Sequence, residues 1–122
     1  MYRYIQSPQF TKGLNGYKKV IDDKSLNNFL KDLSNAPRSA KSAHYLQGAF
    51  AKFNIWSAHF KTRGSVFFTT LYLLCDDKLS SCSGSQKLCN TFIQKCEKPT
   101  QQIVFLEIAK DEPYKKLADF YT

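Results

Sequence analysis

The stretch from Lys52 to Tyr72, KFNIWSAHFKTRGSVFFTTLY, constrains the fold more than any other part of the chain. It is rich in aromatic and β-branched residues and is broken only at Lys61–Ser65, a pattern that reads as two strands joined by a tight basic turn. The rest of the chain is expected to be organised around this hairpin. Period-two alternation puts Phe53, Ile55, Ser57, His59, Lys61 and Arg63 on one face of the first strand, and Asn54, Trp56, Ala58 and Phe60 on the other. The hairpin also lies within a window, Ser34–Cys75, that contains no Asp or Glu, although the whole chain has ten.

That local surplus of positive charge matches the whole: eighteen Lys and Arg against ten Asp and Glu give a net charge of +8. A polyanion such as RNA or DNA, or an acidic protein, is the expected partner. At 122 residues the chain is read as a single domain, 1–122, with a modest core. No apolar run approaches the roughly 20 residues that span a bilayer and no cleavable leader follows Met1, so a cytoplasmic protein with no membrane partner is expected.

The four cysteines, Cys75, Cys82, Cys89 and Cys96, recur every seven residues in one segment. Structural zinc sites present Cys pairs two to four residues apart, so reduced thiols are favoured over disulfides, no metal is expected, and no cofactor is implied. Cys89 and Cys96 fit one face of a short helix.

Taken in order, Tyr2–Ile5 reads as a first strand. Ser7–Pro8 supplies a cap followed by proline at the first helical position, Phe10 and Leu14 share a face, and Asn15–Gly16 supplies a stop. A second helix opens at Asp22 or Asp23 and carries Leu26, Phe29, Leu30 and Leu33 at amphipathic spacing. The two helices are expected to form an antiparallel hairpin. Pro37 ends the second helix, and Arg38–Tyr45 is expected to hold a further helical turn. After the strand pair, 76–100 is a polar, cysteine-bearing insertion in which Gln86–Cys96 is expected to be helical. Ile103–Ile108 is apolar enough for a central strand, and Glu112–Tyr121 reads as a short helix.

The order strand, helix, helix, strand, strand, insertion, strand, helix resembles the RelE/ParE superfamily of toxin–antitoxin toxins. The resemblance rests on Ser7-Pro8-Gln9-Phe10-Thr11-Lys12-Gly13-Leu14, on Leu46-Gln47-Gly48, on Ile103–Ile108, and on Asp111-Glu112-Pro113-Tyr114. It implies an α+β fold, with a twisted antiparallel sheet packed on an N-terminal two-helix hairpin. It further implies a ribosome-dependent mRNA endonuclease that uses the ribose 2′-hydroxyl against the adjacent phosphate without a metal, and that is silenced by a cognate antitoxin protein.

On that resemblance His59, Lys61 and Arg63 form the expected catalytic set: His59 for proton transfer, Lys61 for charge stabilisation and Arg63 as a phosphate clamp. Lys52, near the start of the first strand, and Tyr114, near the C-terminus, are further catalytic candidates. Arg38, Lys41, Trp56 and Lys110 are expected to contact RNA. For Trp56, packing in the core or in a groove for the antitoxin is the alternative, and for His59 the alternative is a surface residue of a solvated basic turn. RNA-cleaving relatives commonly carry an arginine in the strand after the turn, whereas Gly64–Thr69 has no cation. Two other functions fit the same features: a ParE-like inhibitor of DNA gyrase, and a non-catalytic basic module binding nucleic acid or protein.

Overall fold

In a computed structural model, residues 2–40, 42–45, 55–75 and 102–110 are described. The chain runs β1 (Arg3–Gln6), α1 (Pro8–Gly16), α2 (Asp23–Asn35), β2 (His44–Tyr45), β3 (Ile55–Lys61), β4 (Phe67–Cys75) and β5 (Gln102–Lys110). This is an α+β arrangement in which the strands form one sheet, in the order β1-β5-β4-β3-β2.

The helix boundaries follow local chemistry. Ser7 has extended backbone angles and its hydroxyl oxygen accepts the Phe10 N–H, while Pro8, which has no N–H to satisfy, begins α1. Asp22 caps α2 by accepting from the Ser25 N–H at 3.0 Å. The helix stops at Asn35 because Pro37 disfavours helical angles at Ala36, whose φ and ψ are −149° and 70°.

Both helices pack on the sheet through aromatic rings. Phe10 of α1 stacks on Phe105 of β5 with centroids 4.9 Å apart, and Phe29 of α2 stacks on Phe60 of β3 at 4.7 Å. Phe60 continues the stack to its cross-strand neighbour Phe68 at 5.7 Å. Leu30 and Leu33 from α2, with Tyr72, Leu74, Ile103 and Ile108 from the sheet, complete this core. Ile55, Leu71, Leu73, Val104 and Leu106 lie outside that cluster and are also fully buried, which accounts for the nearly unbroken apolar run of β5, an interior strand between β1 and β4.

The sheet departs from the expected antiparallel pattern, because β1 pairs with β5 in parallel, from Arg3 opposite Gln102 to Gln6 opposite Phe105. Residue periodicity reports which face a side chain takes and carries no information about the direction of a neighbour 99 residues away. The β4–β5 register also slips, from Leu71 opposite Glu107 to Tyr72 opposite Phe105, which leaves Leu106 as the extra residue of a β-bulge. The bulge shifts the core-facing set of β5 from Ile103 and Phe105 to Ile108.

Ser7 joins helix to bulge. Its hydroxyl donates to the Leu106 carbonyl at 3.0 Å, and its N–H donates to the Phe105 carbonyl at 2.9 Å. One small buried side chain therefore caps α1 and satisfies a carbonyl that the bulge removes from the regular ladder.

Of the helical turn expected within Arg38–Tyr45, the first residues turn as expected, the Ser39 and Ala40 N–H groups donating to the Ala36 carbonyl at 3.2 and 2.8 Å, and the last two are strand. His44 pairs with Ser57 and Tyr45 with Trp56, so the demand of the β3 edge for a hydrogen-bonding partner overrides local helix preference there. The expected helices at Gln86–Cys96 and Glu112–Tyr121 lie outside the described residues, as do Cys82, Cys89 and Cys96. Among the described residues no helix is long and apolar enough to cross a membrane.

Candidate functional site

The basic hairpin turn is built by Thr62–Val66. The Thr62 N–H donates to the Val66 carbonyl at 2.9 Å, the Ser65 N–H to the Thr62 carbonyl at 3.0 Å, and the Val66 N–H to the Thr62 hydroxyl at 3.2 Å. These bonds close a three-residue loop over Arg63, Gly64 and Ser65. The last residue of such a loop takes left-handed angles, and here that residue is Ser65, at φ 65°.

The turn is tied to α2 through Asp22. One carboxylate oxygen accepts the Arg63 N–H at 2.8 Å, and the other accepts from the Ser25 N–H and hydroxyl. The Arg63 backbone bond, followed by the Ser25 hydroxyl, holds the Asp22 carboxyl at about 2, below its ordinary 3.8. The cap of α2 thus also sets the position of the hairpin tip.

The edge of β3 is held in the same economical way. Beyond β2, the Ser42 hydroxyl donates to the His59 carbonyl at 2.7 Å and accepts the His59 N–H at 3.1 Å, taking the place of a neighbouring strand. The backbone of His59 is fixed while its side chain stays exposed.

His59 and Lys61 alternate onto one exposed face, as expected, and line a groove of about 460 Å³ between α2 and β3. Between them stands Phe67, register partner of Lys61 and 46% exposed. The Lys61 ammonium is 5.6 Å from the centre of the Phe67 ring, and the His59 ring meets it edge-on at 6.2 Å. The α2 side of the groove contributes Asn28, Phe29 and Asp32, and Phe60 lies among the remaining lining residues.

Arg63 separates from this pair. β3 ends at Lys61, so strand alternation does not extend to Arg63, which lines a neighbouring depression with Asp22, Lys24, Ser25 and Asn28. The two concavities share Ser25 and Asn28 and form a continuous surface along the first turns of α2. The same end of the sheet gathers further cations. Exposed Lys110 ends β5 opposite Phe68, against which Tyr17 packs at 4.9 Å, directly before exposed Lys18 and Lys19.

Of the remaining candidates that are described, Trp56 and Arg38 do not line the groove. Trp56 is half-buried on the helix-bearing side and packs against the core. Arg38 donates to the Tyr2 hydroxyl at 3.2 Å, beside Pro37, whose carbonyl accepts the Tyr72 hydroxyl at 2.6 Å. Lys41, Lys52 and Tyr114 lie outside the described residues. Sequence reasoning missed Asp22, Asp32, Ser42 and Phe67. Phe67 stands next to Phe68 in an apolar run, and only the strand register reveals that the first is exposed and the second buried.

Among the described residues no three His, Cys, Asp or Glu side chains come together to hold a metal ion. What the arrangement offers is an exposed ring between an imidazole and an ammonium, a guanidinium close by, and one carboxylate across the groove. No family model, curated protein or solved structure matches the chain.

Proposed function

We propose that this chain is a toxin of the RelE/ParE type that cuts messenger RNA on the ribosome and is held silent by an antitoxin protein. The observation that carries this reading is the exposed pair His59 and Lys61 on either side of Phe67, at the end of the molecule where Arg63, Lys18, Lys19 and Lys110 also gather. Within this reading the two helices form an antiparallel hairpin beneath the sheet, and 76–100 is a cysteine-bearing insertion into the family pattern.

The chemistry asked of these side chains is modest. The 2′-oxygen forms a bond to phosphorus as the bond to the 5′-oxygen breaks, leaving a 2′,3′-cyclic phosphate and a 5′-hydroxyl. His59 takes the 2′-hydroxyl proton, solvent returns one to the departing oxygen, and Lys61 offsets the charge that builds on the phosphate. Arg63 holds the neighbouring phosphate from its own depression.

Induction of the chain in bacteria, beside a His59→Ala, Lys61→Ala, Arg63→Ala variant, with mapping of cellular 5′ ends, tests this reading. Growth arrest accompanied by cuts in translated messages, both lost in the variant, is the expected result. Arrest without cuts that persists in the variant replaces cleavage with gyrase inhibition. The separation of Arg63 from His59 and Lys61 favours one further reading, a basic module that binds RNA without cutting it. Salt-sensitive RNA binding with neither arrest nor cuts is its signature.

A further inference from the structure

The chain has two histidines, and the sheet brings them together. His44 stands on β2 opposite Ser57, and His59 follows Ser57 by two residues on β3. Opposed residues of an antiparallel pair share a face, and so do residues two apart on one strand. Both imidazoles therefore rise from one face of the sheet, while α2 packs on the other through Phe60. Ser42 fixes this register independently, because its hydroxyl bonds both the N–H and the carbonyl of His59, two residues further along the same pairing.

His44 and His59 are thus diagonal neighbours, a relation that sets β-carbons within roughly 7 Å and in reach of aromatic side chains. The twist of the sheet closes this diagonal. On the β4 side the His59 ring meets Phe67, which is opposite Lys61, so β3 side chains on this face lean toward the hairpin end relative to those of β4. Twist accumulates in one sense across a sheet, so β2 leans further the same way and carries His44 toward His59. Both histidines are exposed, and His44 makes no hydrogen bond, ion pair or ring contact among the described residues.

Such a pair suits in-line transfer at phosphorus. The entering 2′-oxygen and the departing 5′-oxygen stand on opposite sides of the phosphorus, so the base and the acid must flank the phosphate rather than touch each other. Imidazole is the side chain that ordinarily serves as either near neutral pH.

We propose that His44 is the general acid of the cleavage and His59 its base. Neutral His59 takes the 2′-hydroxyl proton as the 2′-oxygen bonds to phosphorus. The bond to the 5′-oxygen breaks, and the His44 imidazolium gives that oxygen its proton, taking the part otherwise left to solvent. His59 ends charged and His44 neutral, and exchange with water restores both. The proposal rests on the chain being an RNA nuclease and deepens that reading by naming the proton donor.

The test separates the two proton transfers. Ribosomes are programmed with a message whose cut junction, located by 5′-end mapping, carries either the natural 5′-oxygen or a bridging sulfur, which departs as a thiolate and needs no proton. Single-turnover cutting by the full chain is then followed. His44→Ala is expected to cut the oxygen message about 100-fold or more slowly than wild type, and the sulfur message within about threefold of the wild-type rate. His59→Ala should slow both. His44→Gln keeps a hydrogen-bonding side chain but cannot donate as an acid, and it should match His44→Ala. Circular dichroism and thermal melting show that each variant is folded. Equal slowing of both messages by His44→Ala, no slowing of either, or full activity in His44→Gln overturns the proposal while the nuclease stands. Failure of the wild-type chain to cut either message overturns the nuclease reading and the proposal with it.

Discussion

The double duty of Ser7 makes its substitution the sharpest probe of the fold. Ser7→Ala removes the oxygen that caps α1, which costs about 1 kcal/mol at a typical N-cap. It also removes the donor to the Leu106 carbonyl, in a fully buried residue, and an unsatisfied buried carbonyl costs about 1–3 kcal/mol. The expected total is about 2–4 kcal/mol, a large part of the roughly 5–15 kcal/mol that stabilises a domain. Ser7→Gly separates the contributions, since glycine in place of a capping serine costs only a few tenths of a kcal/mol. The Leu106 contribution, about 1–3 kcal/mol, should remain in that variant. Urea denaturation followed by circular dichroism reads both as a lowered midpoint at constant slope. If Ser7→Gly costs only a few tenths of a kcal/mol, the bond to the bulge contributes nothing and the argument for Ser7 as a crosslink fails.

Three further outcomes follow from the same contacts. Because the Asp22 carboxyl is held at about 2 in the fold against an ordinary 3.8, its contribution to stability is complete above the ordinary value and is lost as pH falls through the folded one. The Arg63 amide shift in an NMR titration should therefore move with a midpoint near 2, and a midpoint near 3.8 would show that the bond to Asp22 does not persist in solution. Gly13→Ala should destabilise by about 1–3 kcal/mol despite the better helix propensity of alanine. The added Cβ would stand 2.7 Å from Ile108 Cγ2 and 3.3 Å from its carbonyl oxygen, and adding Ile108→Ala should recover part of the loss in a double-mutant cycle. Ser65→Gly should raise stability by about 0.5–1 kcal/mol in thermal or urea melts, because Ser65 sits at φ 65° where glycine is free of Cβ strain.

Much of the candidate site was legible because its signals are local. The exposure of His59 and Lys61 follows from two-residue alternation, and the basic turn follows from the break at Lys61–Ser65. Alternation does not set the place of Arg63, because it holds only while the strand lasts, and the strand ends two residues earlier. Phe67 and Asp32 were invisible because nothing in their neighbourhoods distinguishes a groove-lining residue from a core residue or a solvated charge. That both line one groove depends on α2 lying against β3 through Phe29 and Phe60.

The sequence alone determined both helices, with the cap at Ser7 and a choice of Asp22 or Asp23 for the second, the stop before Pro37, the strand pair, and the interior place of Ile103–Ile108 in the sheet. Each rests on side chains competing for backbone groups or burying one face within a few residues. Tertiary structure decided the parallel pairing of β1 with β5, the bulge at Leu106, the pairing of His44 and Tyr45 with β3, and the bond from Asp22 to the hairpin tip. These join residues from 11 positions apart, Tyr45 and Trp56, to 99, Arg3 and Gln102, where the partner that satisfies a backbone group depends on which elements the sheet brings together.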